Sequence, residues 1–296
     1  MMAQPKQLLK FLITLPASAL KFLYFSYESI LNNLISGYGY NLREKFINYI
    51  DNESKKVVHQ SPDAAIDFVL HTPNAICNWR HSSFSTKEPE MLEWIEEFGG
   101  NGTFYDIGAN IGIYSIYYAK SQNGNVYSFE PSVFNLRQLA KNISANKLSD
   151  KITIISNPLS DDMGVSSFKH SNCDEGGALS AFGVDYGDDA QLLKVSIEYN
   201  LLGFSLDSLL KIDAIKEMPS LIKIDVDGIE HLILEGAKKT LSEDTCKSVY
   251  IEVNDEFEEQ SSEVTRILQD SGFKLKEKRH GEMSRDSSIF NQIWIK

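Results

Sequence analysis

The feature that most constrains the fold is an alternation of short apolar strands with amphipathic helices in the middle of the chain. A helix that begins at Pro89 stops at Gly99-Gly100 and leads directly into the first strand. The first three strands are predicted at 103–107, 125–129 and 152–155, with a helix in each gap. Such an alternation favours a parallel sheet with helices on both faces and ligands at the carboxyl ends of the strands. We therefore predict a doubly wound α/β fold.

The sheet is predicted to continue in the second half of the chain. A fourth strand from Leu221 ends in a burst of acids, and a fifth covers residues 249–254. Residues 273–277 and 288–295 should complete the sheet as its antiparallel edge. The stretch 157–188 shows no helical period, and we expect it to border the ligand site.

The beginning of the chain has a different composition. Residues 1–50 carry five basic residues against two acids, whereas the whole chain has a formal net charge of −12. Apolar residues over 8–23 recur at helical spacing with lysines on the other side, which predicts an amphipathic helix. This helix either contacts a membrane surface through residues 1–27 or packs on the chain's own domain. We predict a helical N-terminal extension and lead-in over residues 1–85 and the α/β domain over 86–296.

Weaker signals surround this amphipathic segment. Residues 29–60 are predicted to be further helix, and residues 63–85 to be short strands and turns. Ala17-Ser18-Ala19 resembles the cleavage site of a signal peptide, but the apolar pattern continues beyond it. We therefore expect a cytoplasmic protein, with peripheral membrane contact as an open alternative.

Composition excludes several classes of protein. The excess of acids, 41 against 29 bases, argues against a nucleic-acid partner, because phosphate contacts require a cationic surface. Three widely spaced cysteines form no CxxC pair, so neither a disulfide framework nor a zinc cluster is indicated. No apolar run reaches the roughly 18 residues that a membrane-spanning helix needs.

A loop with two glycines follows the first strand, in the sequence Asp106-Ile-Gly108-Ala109-Asn110-Ile-Gly112. Asn110 stands where a dinucleotide-binding GxGxxG motif needs its second glycine, so a pyrophosphate is poorly accommodated. Such a loop lets backbone amides approach a ligand, and the next helix N-terminus favours an anion such as an amino-acid carboxylate. We predict cofactor contacts from Asp106, Gly108, Ala109, Asn110 and Gly112.

The second strand ends at Glu130, 24 residues after Asp106. A carboxylate there can accept hydrogen bonds from both hydroxyls of a ribose. A nucleoside joined to an amino acid fits the loop and the acid together, and S-adenosylmethionine is such a molecule. Further cofactor contacts are predicted from Glu88, Asn157 and Ser160, although Glu88 could simply be the first acid of its helix and the other two ordinary turn formers.

Four stretches of the chain resemble the FkbM-type methyltransferases: FYDIGANIGIYS from Phe104, VYSFEPS from Val126, LIKIDVDGIEHLILEGA from Leu221 and VYIEVN from Val249. The resemblance covers about residues 75–280. It implies a Rossmann-like class I methyltransferase fold, and S-adenosylmethionine-dependent O-methylation of a hydroxyl on a sugar, glycoconjugate or secondary metabolite. The family's DVEGxE signature reads DVDGIE here, so that Asp227 is a shorter acid and a direct catalytic role for it is in doubt.

An alcohol is a poor nucleophile until its proton is removed, which calls for a general base or a metal beside the methyl group. Asp225 is the first candidate for that base, and Asp227, Glu230 and His231 are the others. Asp225 could instead orient the amine of the methyl donor. Glu230 could merely complement the dipole of its helix, and His231 could be a packing histidine.

A divalent ion is the competing mechanism. Asp225, Glu252 and Asn254 end adjacent predicted strands and offer the hard oxygen ligands that Mg²⁺ prefers. A magnesium ion held by these three residues would polarise the acceptor oxygen.

Two functions from other classes remain open at this point. An NAD-dependent oxidoreductase also uses a glycine loop and a ribose-binding acid, although Asn110 argues against it. A noncatalytic, membrane-associated module could retain the nucleoside pocket alone. The expected partner of a methyltransferase is a small-molecule or glycan acceptor, and the sequence specifies neither its identity nor the oligomeric state.

Overall fold

The computed structural model describes residues 5–34, 38–281 and 287–296, with side chains from residue 17 onward except 35–42 and 282–286. The chain divides into two compact units, residues 1–53 and 54–296. The sequence pattern suggested a later boundary, after residue 85. The structure joins residues 54–85 to the second unit because Phe68 and Leu70 are buried in the same hydrophobic cluster as Phe104.

The first unit contains two helices, α1 (Pro5–Leu34) and α2 (Tyr38–Asp51). Arg43 donates a hydrogen bond of 2.6 Å to the carboxylate of Glu28, and the rings of Tyr24 and Phe46 lie 5.8 Å apart. Large apolar side chains nevertheless remain exposed on both helices, namely Leu20, Phe22, Leu23, Phe25, Tyr27, Ile30, Leu34, Phe46, Ile47, Tyr49 and Ile50. Among the described residues, no helix combines the length and apolar character needed to cross a membrane.

The second unit begins with a hairpin and two helices that precede the main sheet. These elements are β1 (Ser54–Gln60), β2 (Ala65–His71), α3 (Ala75–Lys87) and α4 (Pro89–Phe98). The prediction of helix over 54–60 was therefore wrong, and so was that of strands and turns over the last part of 63–85. Alternating buried and exposed residues in β2 are the period-two signal of a half-buried strand.

The remaining elements follow the predicted alternation closely. They are β3 (Thr103–Ile107), α5 (Ile113–Ser121), β4 (Asn125–Phe129), α6 (Val133–Ala145), β5 (Ile152–Ile155), β6 (Gly164–His170), β7 (Ser180–Phe182), β8 (Ile197–Gly203), α7 (Leu206–Lys211), β9 (Pro219–Ile224), α8 (Glu230–Glu235), α9 (Lys238–Ser242), β10 (Ser248–Asn254), α10 (Glu258–Asp270), β11 (Lys274–Arg279) and β12 (Ile289–Ile295).

The main sheet has seven strands in the order β11-β12-β10-β9-β3-β4-β5. Strands β10, β9, β3, β4 and β5 pair in parallel, whereas β12 is antiparallel to both of its neighbours. The predicted fold class, a doubly wound and mostly parallel sheet with an antiparallel edge strand, is thus confirmed. Because β3 and β9 are neighbours, the loops after them meet at one edge of the sheet.

The central strand β3 shows why this sheet is buried on both faces. All five of its residues are buried; Phe104 packs into the hydrophobic cluster on one face, and Tyr105 and Ile107 into the cluster on the other. Burial of each such large apolar side chain contributes about 1.5–3 kcal/mol to folding. A strand that is apolar on both sides can only form in the middle of such a layered fold.

A second, antiparallel sheet of three strands, in the order β7-β6-β8, lies within a stretch for which the sequence predicted no regular structure. Phe168 and Phe182 lie opposite each other in its register, and both are buried beside Leu159. Most residues of β6 and β8 are exposed or half-exposed, so these strands give a weak signal in sequence.

Candidate active site

A cavity of about 560 Å³ opens at the carboxyl ends of the parallel strands. This is the edge at which doubly wound folds bind their ligands. Residues from several of the stretches singled out in the sequence line its wall. They are Glu88 before α4; Gly108, Ala109 and Asn110 after β3; Glu130 after β4; Asn157 after β5; Ser180 of the 157–188 stretch; Asp225 and Asp227 after β9; and Glu252 on β10.

The glycine loop passes unusually close to its neighbour strand. Gly108 has a φ of 79°, and a Cβ at this position would lie 1.9 Å from the carbonyl oxygen of Asp225. Only glycine fits there, because a side chain would face both the unfavourable φ and the clash. Gly112, with a φ of 83°, begins helix α5 and does not reach the cavity wall.

The amides of this loop are already engaged within the protein. The N–H groups of Gly108 and Ala109 both donate to the carbonyl oxygen of Phe129, at 3.0 Å each. The N–H of Asn110 donates to Glu130 at 2.7 Å. The expectation that these amides hold a carboxylate therefore finds no support in the geometry. The loop instead provides close packing and shapes the floor of the cavity.

Glu130 is held rigidly at the cavity wall, with 5% of its surface exposed. One carboxylate oxygen accepts the N–H of Asn110 at 2.7 Å and the other accepts the N–H of Ser132 at 2.8 Å. Burial raises the pKa of Glu130 to about 7, against these two hydrogen bonds, which lower it. Each oxygen keeps a second lone pair, so the group can still accept the two hydroxyls of a ribose.

Asp106 does not line the cavity, in contrast to its predicted role as a cofactor contact. Its carboxylate is fully buried, accepts the hydroxyl of Ser115 at 2.5 Å and lies 3.3 Å from the ammonium of Lys223. Lys223 also donates to the carbonyl oxygen of Gly108 at 2.7 Å. Asp106 therefore supports the glycine loop from beneath, through Lys223.

Lys223 was missed by the sequence reasoning, although a lysine between two isoleucines of a buried strand is a visible signal. Only 2% of its surface is exposed. Burial alone would lower its pKa, but the carboxylates of Asp225 and Asp106 outweigh burial and raise the pKa above its ordinary value. The lysine is a permanent buried cation that joins strands β3 and β9.

Asp225 is an anion at the cavity wall. Its carboxylate lies 3.5 Å from the ammonium of Lys223. Burial opposes ionisation, but the positive charges of Lys223, Lys87 and Arg80 hold the pKa of Asp225 below its usual value. A carboxylate with a lowered pKa is a weak proton acceptor and a good partner for an ammonium group. This geometry favours the orienting role of Asp225 over the role of base.

Asp227 is occupied by the backbone of the segment opposite it. Its carboxylate accepts the N–H groups of Leu179 and Ser180 at 2.9 and 3.1 Å. Burial and the nearby Asp225 raise the pKa of Asp227 to about 7. Asp227 therefore anchors residues 172–180, which we call the covering segment.

The covering segment lines the cavity and is tied to three elements. Asn110 of the glycine loop donates to the carbonyl oxygen of Gly177 at 2.7 Å. Asn135 of α6 accepts the N–H of Gly176 at 2.9 Å, and Arg80 of α3 donates to the carbonyl oxygen of Gly176 at 2.7 Å. Asn110 thus has a structural task that a glycine at this position could not perform.

Glu230 and His231 lie outside the cavity, so the structure does not bring these two predicted catalytic residues to the reaction centre. Glu230 is 1% exposed, accepts the N–H of Gly228 at 3.1 Å and accepts a hydrogen bond from Gln260 at 2.5 Å. The ring of His231 packs edge-on against Phe257, 5.9 Å away, and burial lowers its pKa. Glu230 therefore holds the turn that carries Asp227.

The wall beyond β5 is mixed. Asn157 lines the cavity and donates its side-chain amide to the carbonyl oxygen of Leu202 at 2.9 Å. Ser160 does not line it; its hydroxyl donates to Asp161 at 3.0 Å. The apolar part of this wall suits a flat aromatic base and consists of Leu159, Phe168, Phe182, Ile229 and Ile233. Phe168 and Phe182 were missed because they belong to the unpredicted sheet.

Glu88 closes the cavity beside α4. Its carboxylate forms an ion pair with Lys87 and accepts the hydroxyl of Tyr114 at 2.5 Å. Tyr114 and Lys87 also line the cavity. Glu88 is thus a fully partnered group of the wall and not merely the first acid of its helix.

These cavity residues fall within a recognised domain. The sequence pattern of the methyltransferase FkbM domain matches residues 106–275, which is more than half of the chain. The chain belongs to the FkbM methyltransferase family. A search of curated proteins found no match.

Parts of this FkbM protein are similar to solved structures of other proteins. Methyltransferase FkbM from Methylobacillus flagellatus is similar over 76% of this chain, with 16% identity and a TM-score of 0.49, and this chain spans about half (54%) of its length. Precorrin-6y C5,15-methyltransferase from Geobacter metallireducens is similar over 71% of this chain and 87% of its own, with 12% identity and a TM-score of 0.40. Aeropyrum pernix fibrillarin, solved with natively bound S-adenosyl-L-methionine, is similar over 67% of both chains, with 12% identity and a TM-score of 0.41.

The magnesium alternative is not supported in this FkbM methyltransferase. The side chain of Asn254 donates to the carbonyl oxygen of Asp188 at 2.8 Å and accepts the hydroxyl of Ser288 at 2.7 Å, so its oxygen is turned to the protein and not to the cavity. Within the described ranges, no group of three or more histidine, cysteine or acidic side chains is placed to hold a metal ion. The three predicted ligands therefore do not form one site.

Proposed function

We propose that this FkbM methyltransferase transfers the methyl group of S-adenosylmethionine to a hydroxyl oxygen of a sugar, a glycoconjugate or a secondary metabolite. The observation that carries the proposal is the order of the groups that follow the neighbouring strands β5, β4, β3 and β9: apolar side chains such as Leu159, then Glu130, then the glycine loop, then Asp225. That order matches adenine, ribose and the amino-acid end of this donor. The donor supplies an electrophilic methyl group on a positively charged sulfur.

Each part of the proposed donor has a chemically matched partner. The ionised form of Glu130 accepts the two ribose hydroxyls, and Phe168 and Phe182 contact the adenine through their apolar faces. Asp225 binds the amino group by a charge-assisted hydrogen bond. Arg80 and Lys87, which also line the cavity, supply the positive charge that suits the donor's carboxylate. The binding free energy is then used for orientation of the methyl group.

Calorimetry tests the donor, and labelled transfer tests the reaction. We expect S-adenosylmethionine and S-adenosylhomocysteine to bind, and NAD not to bind, because Asn110 and the covering segment leave no glycine-lined path for a pyrophosphate. Methyl-labelled donor should then label members of a panel of sugars, glycolipids and hydroxylated metabolites. Absence of binding would overturn the proposal. Binding without transfer to any hydroxyl acceptor would favour the noncatalytic module.

The first unit supports a second proposal, that it contacts an anionic membrane surface. The exposed side chains of Phe22 and Leu23 lie in the segment of the chain where basic residues outnumber acids. Full-length protein should sediment with phosphatidylserine vesicles but not with phosphatidylcholine vesicles, and Phe22→Ser with Leu23→Ser should reduce this. Val165→Ser, at an equally exposed position of the second unit, is the matched control. Equal sedimentation of all variants would contradict the proposal.

A further inference from the structure

Glu252 is a carboxylate of the cavity wall that has no role in the proposed donor contacts. It lies on β10, where Ile251 is paired in parallel with Ile224 of β9. The next residues on the two strands are Glu252 and Asp225, and adjacent strands lie about 4.8 Å apart, so the two side chains emerge next to each other at the edge of the sheet. Both line the cavity.

Glu252 differs from the other acids of the wall in its partners. Glu130 and Asp227 each accept two backbone N–H groups, and Glu88 and Asp225 each face a lysine. The carboxylate of Asp188 accepts backbone N–H groups of its own turn, from Asp188 and Asp189. For Glu252 the described part of the chain provides neither a hydrogen bond nor an ion pair. Glu252 is half-buried. A polar group that is partly removed from water and has no partner is costly, and such a group at a cavity wall points to a ligand that supplies the missing partner.

The surroundings of Glu252 disfavour a negative charge on it. Four carboxylates act on Glu252: Asp225 and Asp227 from the loop after β9, Glu88 from the start of α4, and Glu230 from α8. On the other side, Asn291 of β12 is paired with Glu252 in the sheet. The nearby cations Lys223 and Lys87 are paired with Asp106, Asp225 and Glu88. Burial and the neighbouring acids raise the pKa of Glu252 well above its ordinary value.

We propose that Glu252 accepts the proton of the acceptor hydroxyl, while Asp225 holds the amino group of the methyl donor. This inference rests on the proposed function. As the acceptor oxygen forms its bond to the methyl carbon, the bond between that carbon and sulfur breaks and its electron pair stays on sulfur. The hydroxyl proton moves to a carboxylate oxygen of Glu252, so one positive and one negative charge disappear together. The products are a methyl ether, a neutral thioether and protonated Glu252.

The pairing of charges makes Glu252 responsive to the donor. With no donor bound, Glu252 is held in its protonated form by burial and by the acids around it. A positive sulfur at the methyl-transfer position favours the ionised form of Glu252. Binding of the donor therefore releases the proton of Glu252 and leaves a carboxylate that can act as the base. The by-product S-adenosylhomocysteine has no positive sulfur, and its binding leaves Glu252 protonated.

Proton release on binding tests this inference without knowledge of the acceptor. Titration calorimetry at neutral pH in two buffers of different ionisation enthalpy gives the number of protons released with S-adenosylmethionine and with S-adenosylhomocysteine. Contributions from Glu130 cancel in the difference, because both ligands carry the same ribose. We expect the donor to release more protons from the wild type, and Glu252→Gln to abolish this difference. Asp188→Asn, which changes another acid of the cavity wall, should keep it.

The outcomes separate this inference from the proposed function. If neither ligand binds the wild type, the proposed function fails. If both bind with equal proton release, or if Glu252→Gln keeps the difference, the inference alone is overturned. The Glu252→Gln variant must also bind S-adenosylhomocysteine with the affinity of the wild type. If Glu252→Gln does not fold, Glu252→Ala is used in its place. Loss of S-adenosylhomocysteine binding in both variants would make Glu252 a donor-binding residue and would equally overturn the inference.

Discussion

The acids on the two sides of the cavity differ in whether they have partners within the protein. The donor side is the part around the glycine loop and Glu130, and the acceptor side is the part around Glu252. On the donor side, Glu130 of the cavity wall has two backbone amides as partners, and Asp106, which lies beneath the glycine loop, has Ser115 and Lys223. On the acceptor side, Glu252 has no partner among the described residues. Satisfied buried groups stabilise one arrangement of the fold, whereas an unsatisfied group at a wall keeps its bonding capacity for a ligand. The difference predicts that substitutions on the donor side affect folding and that those on the acceptor side do not.

The largest effect is expected from Lys223→Met, which would break the donor side. Removal of one partner of a buried ion pair leaves an uncompensated charge on Asp106 and costs about 3–5 kcal/mol of folding free energy. Urea denaturation measures this loss. The double variant with Asp106→Asn should recover part of it, because the orphaned carboxylate is then gone. A loss below about 1 kcal/mol in the single variant would contradict the structural role of Lys223.

Gly108→Ala tests the close approach of the loop to strand β9. The new Cβ would lie 1.9 Å from the carbonyl oxygen of Asp225, so the loop must move, which costs about 1–3 kcal/mol of stability and should abolish binding of S-adenosylhomocysteine. Gly272→Ala is a matched control, since Gly272 has a similar φ of 89° and nothing within 4 Å of its Cβ position. Equal effects of the two substitutions would show that backbone strain alone, and not the close approach, matters.

The pH dependence of ligand binding tests whether Glu130 binds the ribose in its ionised form. Its pKa is raised to about 7 in the free protein, and bound ribose hydroxyls favour the ionised form, so binding releases a proton below that pH. The affinity for S-adenosylhomocysteine should therefore rise with pH up to about 7 and level off above it. In Glu130→Gln the affinity should be lower and this slope absent. An unchanged slope in that variant would assign the pH dependence to another group.

Of these substitutions, Glu252→Gln on the acceptor side is expected to cause the smallest loss of stability. The pKa of Glu252 is raised in the folded protein, so the stability that its protonated form contributes is present at low pH and is lost as pH rises through the folded pKa. A neutral amide does not suffer that loss. The variant should match the wild type at low pH and be more stable than the wild type in alkaline solution, as measured by thermal unfolding. Destabilisation comparable to that of Lys223→Met would erase the contrast between the two sides.

Much of the fold could be predicted because its signals are local. The glycine loop, the acid at Glu130 and the seven strands of the main sheet follow from short apolar runs and turn residues, and the structure has each strand within two residues of its predicted bounds. Strand β2 falls within the stretch predicted as short strands and turns, but strand β1 and the three-stranded sheet were not found, because most of the residues in β1, β6 and β8 are exposed or half-exposed. Such strands form through contacts with distant parts of the chain, which short windows of sequence do not contain.

The sequence by itself determined the succession of the main-sheet strands along the chain and the position of the glycine loop, and it led to the prediction of a nucleoside-type donor. These follow from periodicity and from residue types that act within a few positions of each other. The tertiary structure alone decided which acids face the cavity. Glu230 and Asp106 are bound within the protein, by Gln260 and Lys223 respectively, whereas Glu252 lines the cavity beside Asp225. These neighbours come from other elements of the chain, and they set the environment of each carboxylate.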